Sequence, residues 1–434
     1  MDMGMMDDAH AHYEIAAEIF GRLGMTARKA QSDSNRAKAF WIQGDKRSCD
    51  ERDQLAIEAI DGLDDGPEVA FVLRASADRL FLEGNWEAAA EVGERALAVS
   101  RQFSSPSDVG MALRTLGGAL ACGPDQARGI EMCREGYRIG QDLGDSTFAY
   151  HANNLHALLQ IMEGPEAAIA VIEPAVTFLE RRGQEATLEF TRSSRVESLG
   201  WLGRWDEAES ELTDIIDRDL ARGGTQIVTM ARMQLMLILV YRSRCADAYD
   251  MLSPTMERAR EIRDPQVLLP SLSAAIPAAA RAGHVDEART LIGELEVLAV
   301  DRSASTLLAT ALLPGVDIMA ELDCQALERM VATAERRFPV ANHSLDACLA
   351  VIDQAHGRHR EAVDRLSGAV IGFERLDARV QEHQCRILEA RSRLQLGEED
   401  EALQLLETAA SFFTPIDGRY FVDAIEAIRS EAAA

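Results

Sequence analysis

Gly203-Arg-Trp205-Asp-Glu-Ala208 is the stretch that decides the fold. It recurs as Gly84-Asn-Trp86-Glu-Ala-Ala89, Gly283-His-Val285-Asp-Glu-Ala288, Gly357-Arg-His359-Arg-Glu-Ala362 and Gly397-Glu-Glu399-Asp-Glu-Ala402. A further copy, Ser243-Arg-Cys245-Ala-Asp-Ala248, has serine in place of glycine. The steps from Gly203 to Ser243, from Ser243 to Gly283 and from Gly357 to Gly397 are equal. That step, roughly 40 residues, is a fixed period of the size that marks a repeat array. From Gly283 to Gly357 the chain falls a little short of two periods, so one repeat there is short. Between Gly84 and Gly203 it runs just under three, and Cys122-Gly-Pro-Asp-Gln-Ala127 and Gly164-Pro-Glu-Ala167 fill that gap as shortened copies.

The residues around each copy explain what one repeat does. An apolar-rich stretch precedes the glycine, as in Val69–Leu82 and Ile227–Tyr241. After it comes an amphipathic stretch, as in Glu87–Val99 and Glu207–Ile216, with apolar residues at steps of three and four. The glycine falls where one helix stops and the chain reverses, a position that needs positive φ. The alanine that follows is small because two antiparallel helices cross closely there. Leu143-Gly-Asp145, Arg263-Asp-Pro265 and Ser104-Ser-Pro106 supply turns between repeats. No strand-like alternation interrupts the pattern, so the chain is expected to be all-α. Ala9–Gly24 reads as the second helix of a repeat whose first helix is missing.

Composition narrows the function. The 434 residues allow two to four compact domains or one elongated array. With 45 basic against 72 acidic residues the net charge is −27, which repels phosphate backbones, so direct nucleic-acid binding is not expected. The aromatic share of 5% is low for a β-sandwich or barrel. Seven cysteines, an odd number with no C-x-x-C pair, argue against a disulfide framework or zinc ribbon and for a reducing cytoplasm. The N-terminus lacks the basic and apolar regions of a signal peptide. No apolar run approaches the ~18–20 residues of a membrane span.

Glycine, an aromatic two residues on, alanine five on and a second small or apolar site seven further on resemble the tetratricopeptide repeat. Gly84, Trp86, Ala89 and Ala96-Leu97 carry the resemblance best; Gly397 has Ala402 and Ala409. With repeats longer than that family's usual length, the chain resembles the helical sensor arm of MalT-like, AAA-ATPase-linked and cyclase-linked bacterial regulators. The resemblance spans residues 45–434 and implies a right-handed α-solenoid of about nine or ten helix pairs. The chain departs from such regulators in two ways. Gly44-Asp-Lys-Arg-Ser48 lacks the second glycine and the spacing of a phosphate-binding loop, and Arg419–Ala434 is too short for a helix-turn-helix output domain. The expected organisation is a degenerate N-terminal repeat or capping segment at 1–44, a superhelical array at 45–418, and a capping helix with tail at 419–434.

The resemblance implies a non-catalytic scaffold or sensor that binds a protein or peptide in bacterial signalling or transcription control, without cofactor. Two alternatives stay open: a peptide-responsive regulator that modulates or carries an enzymatic activity, such as a phosphatase, or a structural assembly subunit. Concave-face positions are carried over by counting back from the turn. From Gly84 they are Phe71, Arg74 and Asp78; from Gly203, Phe190, Ser193, Glu197 and Trp201; from Ser243, Met230, Met233 and Tyr241. Methionine and aromatic side chains adapt their shape, which suits a groove for a helix or extended segment. The competing reading is that longer helices bury these residues between neighbouring repeats. Asn153 and Asn154, in the polar stretch Tyr150–His156, could pair with a peptide backbone; otherwise they belong to a solvated face. His356-Gly-Arg-His359 has ligand-like spacing, with His343, Cys348 and His383 near in sequence, but the turn at Gly357 should make the imidazoles diverge, and no metal site is expected. His10 and His12 lie at the N-terminus and carry no site either. The arginine-rich stretches at Arg258–Arg263 and Arg386–Arg393 read as solvated faces with ion pairs one turn apart.

Overall fold

A computed structural model describes residues 3–43, 45–123, 125–221, 223, 225–262, 264–300 and 305–432. Among them every regular element is helical. The first helices are α1 (Met3–Arg22), α2 (Thr26–Gln43), α3 (Lys46–Ile60), α4 (Pro67–Leu82), α5 (Trp86–Phe103), α6 (Pro106–Cys122), α7 (Gln126–Leu143), α8 (Thr147–Met162) and α9 (Pro165–Arg182). Next come α10 (Glu185–Leu202), α11 (Trp205–Ala221), α12 (Gln226–Tyr241), α13 (Cys245–Asp250), α14 (Leu252–Ile262), α15 (Pro265–Arg281) and α16 (Val285–Ala299). The chain continues as α17 (Ser305–Leu312), a 3-10 turn (Leu313–Gly315), α18 (Val316–Thr333), α19 (Pro339–Ala355), α20 (His359–Arg375), α21 (Arg379–Gln395), α22 (Glu399–Phe413) and α23 (Arg419–Ala432). The fold is an all-α, tetratricopeptide-like array of antiparallel helix pairs. It divides into two compact units, Met1–Leu158 with Pro174–Thr187 and Leu159–Glu173 with Leu188–Ala434.

The turn residues do what the motif requires of them. Gly84, Gly203, Gly283, Gly357 and Gly397 have φ of 74, 79, 91, 73 and 78°, and Ser243 adopts 56° although it is not glycine. Ala89, Ala208, Ala248, Ala288, Ala362 and Ala402 are all 0% exposed, so the small side chain lies at the crossing in every full copy. The two shortened copies deviate by a residue or two. Ala127 is exposed, and the crossing falls instead at Gly129, where a methyl would collide with the backbone of Gly117 and Ala121. In the other copy it is Ala168, not Ala167, that is fully buried. Helix starts follow ordinary chemistry: Ser105 and Asp125 accept the backbone N–H of Asp108 and Arg128, and Pro67, Pro106, Pro265 and Pro339 open their helices.

The short repeat is now located. Asp323, one full period after Gly283, has non-helical dihedrals (φ −157°, ψ 78°) inside α18 and accepts the N–H of Ala326 at 3.0 Å. It is the turn of a repeat without the glycine motif, and the short step runs from Asp323 to Gly357. The second helix two turns earlier in the array is broken into α13 and α14 at Met251. Pro254 sits in the first turn of α14, where its missing N–H leaves no intrahelical bond unmade.

In the first unit α4 packs on α5 and touches both α2 and α6, the first helices of the flanking repeats. Val69, Val72, Leu73, Val99 and Ile60 form one apolar cluster, and Leu97, Leu113, Leu116 and Leu120 form the next. Beside them Gly110, Gly136 and Gly140 leave a slot for the ring of His151, which is 1% exposed. Neither ring nitrogen finds a hydrogen-bond partner among the described residues.

In the second unit the C-terminal helices fold back across earlier repeats. Phe413 and Phe421 stack at 4.0 Å between ring centroids, and Trp205 stacks on Phe413 at 6.3 Å and on Tyr241 at 5.5 Å. Tyr420 donates its hydroxyl to Asp317 at 2.6 Å, accepts from Arg281 at 3.2 Å, and lies under that guanidinium at 4.9 Å. Gln384 donates to the carbonyl of Leu313 at 3.0 Å. Gly164, with φ of 99°, presses against the carbonyl of Leu376, where any side chain would collide. No helix among the described residues is long and apolar enough to cross a membrane.

At the crossings, Ala208→Leu should overpack a contact with no spare volume and cost about 1–3 kcal/mol in urea unfolding; an unchanged midpoint would place the crossing elsewhere. At His151, burial first and Arg114 second push the imidazole down to about 4. Its ordinary value in the unfolded chain is about 6.5, so unfolding takes up a proton below that pH. Stability is therefore full above pH ~6.5 and falls as the pH drops towards 4. Melting curves across that range should show the loss, and His151→Leu should reduce it, leaving the share of His156 and His383, which burial also lowers to about 4.

Candidate partner-binding surfaces

Three of the expected surface residues come together in the first unit. Phe71, Arg74 and Asp78 stand at helical spacing on α4, with the Arg74 guanidinium 5.0 Å from the centroid of the Phe71 ring. Arg74 donates to Asp78 at 3.0 Å. Two residues of α6 converge on the same carboxylate: Arg114 at 3.0 and 3.2 Å, and the Thr115 hydroxyl at 2.7 Å. One turn further along α6, Gly118 leaves room where the Phe81 ring and the Asn154 amide of α8 approach. Asn154 also accepts the Cys133 thiol at 3.4 Å. Asn153 donates to the carbonyl of Ala149, at 2.8 Å, within its own helix.

The electrostatics are lopsided. Lys38 on α2 is exposed, but its ammonium pKa is lowered by desolvation, with Asp78 opposing and the like charges of Arg74 and Arg114 adding. Arg74 is half-buried and is likewise lowered, first by burial. Three cations from three successive first helices thus act on the Asp78 carboxylate, with Asp108 a further counter-charge to Arg74, in a chain whose net charge is −27. Counting back from the turn glycine finds Arg74 and Asp78 but not Lys38 or Arg114. The period itself points to Arg114, which lies one full repeat after Arg74.

The second unit treats its expected groove residues differently. Tyr241 is buried, stacked on Trp205 and packed on Phe421 at 4.9 Å and Tyr420 at 6.3 Å. Met233 is buried beside the Ser271 hydroxyl, 3.7 Å from its sulfur. Both are interior residues, and the expectation that they line an open groove is corrected: the chain's own C-terminal aromatics cover Tyr241, and the neighbouring first helix covers Met233. Phe190, Trp201 and Met230 are half-buried, and Ser193 is fully buried. Glu197 reaches solvent, yet the protein around it withdraws enough water to raise its carboxyl to about 7. Trp205, which the motif marks only as a turn aromatic, is buried like its counterpart Trp86; its indole N–H donates to the carbonyl of Gly200 at 3.0 Å.

The histidines grouped by sequence do not share a site. His383 stacks on Phe412 at 4.3 Å, His343 lies edge-on to Phe373 at 5.6 Å, and Cys348 is fully buried. In the arginine-rich stretches Arg258 pairs with Glu261, Arg260 with Glu294, Arg386 with Glu382, and Arg393 with Glu389, while Arg263 lies outside the described residues. All seven cysteines are free thiols.

If Asp78 is the counter-charge that holds this cluster, Asp78→Asn should lower stability by about 2 kcal/mol. Added salt should recover part of the loss by screening Lys38, Arg74 and Arg114. A variant as stable as the parent at low salt would show that the three cations do not repel one another.

No protein-family model matches the chain, and no curated protein matches it. Among solved structures it is similar to the apo form of the quorum sensor NprR from B. thuringiensis, at 11% identity and a TM-score of 0.48, over 88% of this chain and 97% of that one. It is similar to NprR in complex with its cognate peptide NprX, at 12% identity and a TM-score of 0.48, over 77% and 97% of the two chains. It is also similar to a Rap protein complexed with Competence and Sporulation Factor, at 12% identity and a TM-score of 0.44, over 84% and 98%.

Proposed function

We propose that this protein is a non-catalytic peptide-binding scaffold of the sensor-arm kind, and that its partner presents a carboxylate to the first-helix face of the first unit. The observation that carries the reading is the set Lys38, Arg74 and Arg114 gathered on the carboxylate of Asp78, with Asp108 also acting on Arg74. Positive charge in excess of its counter-charges and held half out of water is costly, and an incoming carboxylate relieves that cost at the place where it binds. Phe71 and Phe81 on α4 offer apolar area beside the charges, as a peptide groove needs in order to fix a side chain next to an anionic group. Asn154, on the next first helix, supplies an amide that can turn towards a backbone. The general acidity of the chain adds selectivity: elsewhere its surface repels an acidic peptide, so attraction is confined to this face.

The test is a library of short peptides, each synthesised with a free and with an amidated C-terminus, scored for binding to the full chain by fluorescence anisotropy. Acidic peptides should be selected. If the terminal carboxylate is the group that is held, amidation should remove binding. Arg74→Ala and Arg114→Ala should each weaken capture by more than tenfold, in line with the cost of truncating an arginine anchor, about 2 kcal/mol or more. The loss should shrink as salt is raised. Capture indifferent to both substitutions, with folding unchanged, would place the binding surface elsewhere.

A further inference from the structure

The kink at Asp323 brings together three residues that lie apart in sequence. Cys324 and Glu328 stand one turn apart on the part of α18 that follows the kink, and His356 caps the C-terminus of α19. Their ligating atoms, one thiol sulfur, one carboxylate oxygen and one imidazole nitrogen, all lie within 4.8 Å of one another. The histidine is oriented. Its Nδ1 lies 2.8 Å from the carbonyl oxygen of Ile352, which can only accept, so Nδ1 carries the proton and the ring presents Nε2 to the cluster. Nε2 faces the Glu328 carboxylate at 3.3 Å. That is longer than the about 2.7–2.9 Å of a charge-assisted hydrogen bond. It matches the edge of a tetrahedron whose nitrogen and oxygen ligands sit about 2.0–2.2 Å from a central ion. A ring nitrogen held by a backbone carbonyl while the other looks at the ligands is the usual support of a metal-bound histidine.

We infer that Cys324, Glu328 and His356 form a binding site for a zinc-class divalent cation, with a fourth position open to water or to a carboxylate. A thiolate beside an imidazole favours zinc, or cobalt in its place, over magnesium or calcium, which take oxygen ligands. Thiolate and carboxylate together neutralise the ion. The other charged groups nearby are already engaged. Asp323 caps Ala326, Arg358 is held by Asp353 at 2.8 and 2.6 Å, and Arg289, the other arginine beside the kink, donates to the carbonyl of Leu322. The ion would tie the shortened second helix of the irregular repeat to the turn between α19 and α20. It would thus supply a link where the repeat has lost helix length.

The experiment uses the full chain, stripped with chelator and kept reduced, titrated first with cobalt(II) and then with zinc. Binding at this site gives one equivalent of cobalt with a thiolate-to-cobalt charge-transfer band in the near ultraviolet and the visible bands of four-coordinate cobalt. Zinc then bleaches both and raises the melting temperature. Cys324→Ser should abolish the near-ultraviolet band, and His356→Gln should weaken binding at least tenfold. Circular dichroism of both variants should be that of the parent. Cys122→Ser and Cys245→Ser, which alter partly exposed thiols elsewhere, should leave the band intact. A parent protein without the thiolate band, or a band that survives Cys324→Ser, overturns the inference and leaves His356 and Glu328 as an ion pair alone.

Discussion

Each of the six full copies of the motif depends on one local constraint: a residue at positive φ that reverses the chain, followed five positions later by a fully buried alanine. The first lets the second helix start antiparallel and close; the second lets the two backbones approach where they cross. Neither works alone. A turn without the small residue would splay the helices, and a small residue without the turn would meet no partner. Ser243 shows how strong the constraint is. The chain accepts a left-handed, non-glycine residue there and keeps Ala248 fully buried. Gly129 shows the same from the other side, since that repeat trades alanine for glycine and moves its helices closer still.

The array was legible because its signal is backbone chemistry at a fixed period, and backbone demands restrict residue choice strongly. The copies at Gly84, Gly203, Gly283, Gly357 and Gly397 needed nothing beyond the sequence. Asp323 was not legible as a turn. An aspartate that caps its own following helix leaves no mark different from any other acidic residue in so acidic a chain, and only its place one period after Gly283 pointed to it. The break at Met251 lies beside Pro254, but Pro174, Pro270 and Pro277 lie inside continuous helices, so a proline alone does not announce a break.

Sites were less legible than the fold, because a site depends on which face a side chain takes and on what lies across from it. Arg74 and Asp78 pair one turn apart on α4, as their helical spacing in the sequence already implied. Tyr241 sits on the first helix of a later repeat and is interior, because Phe413, Tyr420 and Phe421 come from the last two helices of the chain to cover it or its stacking partner Trp205. No local pattern announces such a contact. The cluster of Cys324, Glu328 and His356 was hidden for the same reason: the period separates its members, and the histidine's sequence neighbours turned out to pack on phenylalanines.

The aromatic closure of the second unit also alters how that unit reaches its native state. In an open array each repeat leans on its neighbours, contacts are local, and ordering can begin at any repeat and spread. The bond between Tyr420 and Asp317 spans 103 residues and that between Tyr420 and Arg281 spans 139. Such contacts carry the loop-closure entropy of a long chain and raise the contact order. The second unit therefore cannot finish until its last helix has arrived, and partial losses at its end are felt back at Trp205 and Tyr241. Packing the tail against the middle exchanges the piecemeal melting of a linear array for the all-or-none cooperativity of a globule.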